Sequence, residues 1–517
     1  MIPTTPTGMM IKSERWMTPL LLLAAGAIAP LALAPLYWWP LGLVSLILFA
    51  HLLWQPTSCR QAFERSWWYA FGQFGSGVSW VYVSMHDFGG TSVPLAILLA
   101  ALFAAVLALV PAICFSLYAL FRRHGQPVIP WLMLPAFWFI SEWLRSWIFT
   151  GFPWLFAGDA HLFSWLSGWA PVIGSYGISV ILMLTATGLI QALRTTQLRY
   201  LWVVLLWPAG YLLQQQQWTT PVGELTVSSV QGNIDQNLKW KPEMVSPTIN
   251  LYFKETSKLW DSDLIVWPET AITLVYDRFL PYLDELNHTA QQHDAGLITG
   301  IAYRYPQNHP QAGEYHNSIV ATGMADGLYH KQQLVPFGEF IPFESQLRGL
   351  IPFFDLEMSS FLHGAPDQDL IRLEAHQQLY LIAPYICYEI AYPQLVSRMA
   401  RQANLLVTVS NDAWFGDSLG PKQHMGLAQM RALETGRYLL RSTNTGITAL
   451  VNNHGQIVKQ LPTGIRGSLT AKAEVRSGDT PYMRWGLLPL YFLCLVTLLF
   501  ATALVIATRP TTATSER

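Results

Sequence analysis

The chain has 517 residues, of which 52% are hydrophobic and only 12% charged, with 22 Trp and a formal net charge of −1. A charged share about half the ~25% of soluble proteins cannot cover a water-facing surface, and Trp is enriched at membrane interfaces. The near-neutral balance, with no run of Lys and Arg, excludes bulk electrostatic attraction to nucleic acid.

In chain order, apolar helices come first. A bilayer core about 30 Å thick asks for ~20 mostly apolar residues per helix. Spans are expected at 17–35, 37–54, 67–85, 93–121, 128–148, 170–193 and 198–213, the last being the shortest, with an eighth at 485–507. Pro35 to Pro40 makes the first two a tight pair, and Gly72, Gly75 and Gly77 suit close helix packing in the third. No small-residue cleavage site follows the first apolar run, so a removed signal is not expected.

The charges between spans alternate. Lys12 and Arg15, Arg60 and Arg65, Arg122 and Arg123, Arg194 and Arg199, and Arg509 and Arg517 fall in every second connection. The loops at 34–36, 86–92 and 146–169 carry no Lys or Arg. Cytoplasmic loops are the basic ones, so both termini are expected in the cytoplasm and 214–484 on the outer face, provided 198–213 crosses fully. Glu142 and Arg145, near a span end, are expected to pair or to snorkel to the interface. His86-Asp87 reads as polar residues of an outer loop rather than as a metal pair.

Residues 219–484 have a different texture. Leu225 to Val230 and Asp263 to Trp267 read as strands, while 243–260, 278–293 and 423–441 read as helices. Alternation of this kind points to an α/β domain with helix-covered sheets. The expected organisation is a transmembrane bundle at 1–213, a soluble domain at 219–484 and a C-terminal transmembrane helix at 485–507.

Of the four cysteines, Cys114 and Cys494 lie in expected spans and Cys59 in a cytoplasmic loop, so Cys387 is alone in the soluble domain. A lone cysteine is most often a small core residue. It also cannot build a Cys-based zinc site, and no His-Glu-x-x-His helix is present. Its setting favours use. Leu379 to Ala383 reads as a buried strand that Pro384 ends, which puts the thiol at the following turn, where ligand sites of α/β sheets gather. A thiol needs a base and oxyanion donors. "IVWPET" supplies Glu269 at one strand end. "LYHKQQLVPFGEFIPF" supplies Lys331 near another, with Glu339 eight residues on. Taken singly, a Glu or a Lys at a strand end is usually just solvated.

Together with "PYICYEIAYP" and "VSNDAWFGDSLGP", these segments resemble the signatures of the nitrilase superfamily, and specifically its membrane-embedded branch, the bacterial apolipoprotein N-acyltransferases. The resemblance covers roughly 219–475, and the arrangement of spans is similar too. It implies an αββα sandwich carried by about eight spans. It also implies a catalytic triad at Glu269, Lys331 and Cys387. The implied reaction moves an acyl chain from a phospholipid to the α-amine of a diacylglyceryl-cysteine at a lipoprotein N-terminus, through a thioester. By the same resemblance, Glu339 orients Lys331 or the acceptor amine, Glu389 supports the active-site turn, and Tyr388 contributes to the oxyanion site. Trp240 and Trp414 match aromatic positions near the acyl pocket or its lids. The partners implied are a phospholipid donor, an apolipoprotein acceptor and the bilayer. No cofactor and no metal are implied; no phosphate loop is present either. A monomer is expected, in the bacterial inner membrane with the catalytic domain periplasmic.

Two other readings share these residues: a membrane-tethered amidase or nitrilase-type hydrolase with water as acceptor, and a non-catalytic lipid-binding scaffold. The apolar loop from Phe337 to Phe354, with Phe343 and Phe353, favours a lipid substrate, because an ordinary solvated loop would be more polar. If that loop dips into the outer leaflet and passes lipid to the thiol, Phe343→Asp and Phe353→Asp should slow turnover of a phospholipid donor in vesicles; unchanged turnover rules the gate out.

Overall fold

The computed structural model describes residues 7–55, 57–122, 128–305, 309, 311–341 and 360–507. Phe343 and Phe353 lie outside them.

Period-two alternation decides the architecture of the second half. Along β2 (Leu264–Val266) and into Trp267, Leu264 and Val266 face a core shared by two sheets, while Ile265 and Trp267 face a second core under helices. The first sheet runs β14 (Gly467–Ser477), β1 (Thr220–Gln231), β2, β4 (Gly296–Arg304), β5 (Tyr315–Gly323) and β7 (Leu328–His330), with β3 (Ile272–Val275) paired to β4. The second runs β13 (Ile457–Gln460), β12 (Ala449–Val451), β11 (Leu439–Thr443), β10 (Leu405–Ser410), β9 (Gln378–Ile386), β8 (Ile371–Ala375) and β6 (Ala325–Asp326). Helices Val245–Thr256 and Tyr276–Gln292 cover the first sheet through Ile249, Tyr252, Phe279, Leu283 and Leu286. Pro393–Ala400 and Gly420–Thr435 cover the second through Val396, Met399, Met425 and Ala428. The result is the expected αββα sandwich.

Two expectations shift. The helix expected over 423–441 stops at Thr435, because Gly436 takes φ +60 and ends it before β11 begins. Pro384 does not end its strand: β9 continues to Ile386, with Pro384 opposite Val407 of β10. Its pairing with the other neighbour, β8, ends at Ile382, opposite Ile371. From there β9 has a ladder on one side only, where a proline is tolerated.

The first half is helical. Val93–Arg122, Trp165–Thr195 and Leu488–Ala507 are long and apolar enough to cross a membrane by length and composition, and Trp16–Ala32, Trp39–Trp54 and Leu198–Leu213 are shorter apolar helices. Cys59–Gly77 and Val128–Arg145 pack among them around Phe49, Tyr69, Phe115, Tyr118 and Trp138. Leu98, Leu102, Phe492 and Leu499 point outward instead. Glu142 and Arg145 neither snorkel nor reach the surface. Glu142 accepts from the Trp138 indole and the Ala157 N–H, each at 3.0 Å. Arg145 donates to the carbonyls of Phe152 and Trp154 and lies over the rings of Phe74 and Phe156. Both therefore shape the loop 151–157, whose task is to meet the sandwich.

That meeting is polar and buried. Arg431 of helix Gly420–Thr435 reaches Asp159 at 3.1 Å and its own helix partner Glu434 at 3.0 Å, and Glu434 accepts the N–H of Ser175 at 2.7 Å. Gln423 accepts from the indoles of Trp80 (3.1 Å) and Trp154 (2.8 Å) and donates to the Gly77 carbonyl at 3.0 Å. Removing one member of a buried ion group leaves uncompensated charge and costs about 3–5 kcal/mol. Arg431→Met should therefore lower the unfolding temperature of the detergent-solubilised protein sharply. Replacing Arg431, Asp159 and Glu434 together by apolar residues should recover much of that loss.

Candidate active site

β2 runs parallel to β1 and β9 runs parallel to β10, and the exits of β2 and β10 meet where Glu269 Oε2 accepts the Asn411 N–H. Pro268 leads out of β2 to Glu269, followed by Thr270 at φ +44. This exit needs a bare neighbour: a Cβ on Gly300 of β4 would sit 2.7 Å from the Glu269 Cα. Lys331 follows β7 directly, its backbone N–H bonded to the Asn317 carbonyl at 2.9 Å.

The three charged side chains meet. The Lys331 ammonium, 1% exposed, lies 2.8 Å from Glu339 Oε1 and 3.5 Å from Glu269 Oε1. Asn317 Nδ2 donates to the same two oxygens, at 2.8 Å each. The remaining oxygens are also occupied: Glu269 Oε2 accepts the Asn411 N–H at 2.8 Å, and Glu339 Oε2 the Val335 N–H at 2.8 Å. Burial works against the charge on Lys331, but Glu339, Glu269 and Cys387 outweigh it and the pKa moves up. A second buried lysine, Lys239, reaches the Glu269 carbonyl at 3.4 Å, and burial brings its pKa down to about 8.

Cys387 takes φ +52, a conformation L side chains rarely adopt. Strain of this kind, about 1–3 kcal/mol, persists only where surroundings over-determine it. Here Glu389 does so. Its carboxylate, fully buried, accepts from the N–H of Ile386 (2.8 Å), the Tyr329 hydroxyl (2.9 Å) and the N–H groups of Gln332 (2.6 Å) and Gln333 (3.2 Å). One side chain thus ties the cysteine turn to the segment after Lys331, which is support of the turn rather than an ion pair. Burial first, then Glu269 and Asp412, pushes the Cys387 thiol up; Lys331 and Ser410 oppose but do not reverse this. The resting sulphur is therefore a thiol.

Tyr388 faces the helical half, its hydroxyl donating to the Gly151 carbonyl at 3.1 Å and its ring stacked on Trp154. Trp240 is 38% exposed and directly follows Lys239. Trp414 lies against Phe88, and its carbonyl accepts the Ser84 hydroxyl at 2.7 Å. Both tryptophans border the site without joining the charged cluster.

Residues 25–188 match the apolipoprotein N-acyltransferase N-terminal domain, and 226–481 match the carbon-nitrogen hydrolase family. Over 500 residues the chain is 44% identical to an apolipoprotein N-acyltransferase of Pseudomonas syringae, covering 95% of this chain and 97% of that one. A Pseudomonas aeruginosa relative of the same name is 44% identical (95% and 96% covered), and one from Coxiella burnetii 41% (93% and 99%). The chain belongs to the apolipoprotein N-acyltransferase family. Membership over both halves does not favour the tethered-hydrolase alternative, which explained only the soluble half.

In this family member the structure adds residues that the sequence did not single out. Asn317 and the Asn411 N–H hold the acids, and Lys239 lies beneath Glu269. Behind the cysteine, Asp412, His424 and Arg441 form a buried group. Cys387, Asp412 and His424 are the one set among the described residues whose ligand atoms could share an ion. Both Asp412 oxygens and both His424 nitrogens already have protein partners. Asn411 and Asp412 sat inside a motif quoted above, but nothing in residue type marked a backbone N–H or a helix histidine for this place.

Glu389→Gln keeps one acceptor oxygen and turns an amide toward an N–H. Because bonds to charged groups are worth about 1.5–3 kcal/mol each, it should lower the unfolding temperature by several degrees, and Glu389→Ala by more, as read by thermal unfolding in detergent.

Proposed function

We propose that this protein transfers an acyl chain from a phospholipid to the α-amino group of the diacylglyceryl-cysteine at the N-terminus of apolipoproteins, through a thioester on Cys387. The observation that carries this is the buried meeting of Glu269, Lys331 and Glu339 beside a strained cysteine turn packed on apolar helices, in a chain of this family. In the first half-reaction Glu269 takes the thiol proton as sulphur attacks the ester carbonyl. Lys331 and the N–H of Tyr388 stabilise the oxyanion, where loss of one donor typically costs about 10²–10³ in rate. The C–O bond then breaks, and Glu269 returns the proton to the departing lysophospholipid alkoxide. In the second, the amine attacks the thioester and Glu269 takes its proton. The C–S bond breaks, and the proton goes back to sulphur. Glu339 orients Lys331, and Glu389 and Tyr388 hold the turn. Trp240 and Trp414 border the acyl route. Thioester to amide is downhill, so the scheme requires no nucleotide.

The same proposal carries a topology. Seven spans within 1–213 and an eighth at 485–507 place the domain 219–484 in the periplasm and both termini in the cytoplasm of the inner membrane, with the protein acting as a monomer. The basic residues of alternate connections and the outward-facing apolar helices support it.

Intact-mass measurement after incubation with phosphatidylethanolamine vesicles tests the chemistry. One fatty-acyl mass should appear on the wild type and be absent from Cys387→Ala. A diacylglyceryl-peptide amine should discharge it. Discharge by water alone would make the protein a hydrolase, and no adduct would make it a scaffold.

A further inference from the structure

His424, one turn into helix Gly420–Thr435, is fully buried and takes no part in the chemistry above. Its Nε2 lies 3.0 Å from the carbonyl oxygen of Cys387. A carbonyl only accepts, so Nε2 carries a hydrogen whichever protonation state the ring adopts. On the other side of the ring, Nδ1 lies 3.1 Å from Asp412 Oδ1 and 3.1 Å from Arg441 Nη2. Asp412 is itself fixed by Arg441 at 2.7 Å and by the Ser410 hydroxyl at 2.7 Å. Trp154 packs against the imidazole, with ring centroids 5.5 Å apart. The ring is thus locked from behind and aims one donor at one backbone oxygen.

That oxygen belongs to the peptide joining Cys387 to Tyr388. The peptide is planar and trans, so its C=O and its N–H point to opposite edges of one rigid plate. Holding the carbonyl toward His424 directs the Tyr388 N–H away from it. Cys387 at φ +52 sits in the small left-handed region that L side chains rarely use, so its neighbours matter to how that plate is held. Glu389 holds the residue before it, through the Ile386 N–H. His424 holds the plate after it.

We infer that His424 is a positioning residue, one whose Nε2–H sets the direction of the Tyr388 N–H and so builds half of the oxyanion site, with Asp412 and Arg441 fixing its ring. This rests on the acyl-transfer proposal, which uses that N–H as a donor.

Two polar replacements separate the roles of the ring nitrogens. The amide nitrogen of Gln reaches the place of Nε2, and that of Asn the place of Nδ1. His424→Gln should acylate Cys387 from phosphatidylethanolamine vesicles within about fivefold of wild type. His424→Asn keeps the Asp412 side but loses the Cys387 carbonyl, and its acylation rate should fall about 10²-fold. Alkylation of Cys387 by a small maleimide needs no oxyanion and should stay within about threefold in both variants. Equal acylation by the two variants, a better Asn than Gln, or parallel loss of acylation and alkylation in Asn overturns the inference. A wild type that forms no adduct sinks the acyl-transfer proposal itself, and this inference with it.

Discussion

The Lys331 ammonium organises the site. Lys331 is almost wholly out of water, and an isolated charge there would be prohibitive. It is tolerable only because two carboxylates face it and each carboxylate is itself satisfied, by Asn317, Asn411 and Val335. These partners arise from both sheets: β5 supplies Asn317, the exit of β10 supplies Asn411, and the segment after β7 supplies Lys331 and Glu339. The sandwich must therefore close before the cluster exists. The cluster also leaves little room for a further resting anion, which agrees with the upward displacement of the Cys387 thiol.

The helical half is a structural part of this site. Tyr388 and Tyr392, on the turn that carries Cys387, both donate to the Gly151 carbonyl. Gly151 can accept them because it sits at φ +91, where a Cβ would lie 2.0 Å from the Ser146 carbonyl oxygen. Trp154, three residues on, touches Tyr388 and His424 and is anchored by Gln423. The loop between two bundle helices thus forms the back wall of the cysteine turn. A detached sandwich would expose that wall, together with the buried Arg431 group beside it.

Strand ends were legible because they are where alternation stops and chemistry begins. Glu269 and Cys387 each sit just past an apolar run and Lys331 just past the short strand Leu328–His330, and the resemblance of the motifs around them implied their association before any distance was known. Asn317 was not legible: it lies inside a strand, and its importance comes from which strands become neighbours. The Asn411 N–H is invisible in principle, since every residue but proline has one. In the bundle, apolar length located most of the helices, but not that the one expected over 67–85 runs Cys59–Gly77, nor the break at Gly174 with φ +68 or the 3-10 winding of 198–205. Nor could hydropathy tell that Glu142 and Arg145 turn inward, because burial of a polar pair depends on the carbonyls and indole that wait for it.

The clamp on Lys331 is asymmetric, and the asymmetry matters for a carboxylate proposed to handle protons four times per cycle. Lys331 lies 2.8 Å from Glu339 but 3.5 Å from Glu269. Were the short contact made to Glu269, each proton it accepted would break the strongest ion pair in the site. With Glu339 holding the ammonium, protonation of Glu269 weakens the longer of the two lysine contacts rather than the shorter. Lys331 then keeps its charge and its position while the base cycles. In the proposed mechanism the second acid is not redundant beside the triad: it separates the task of holding the cation from the task of moving the proton.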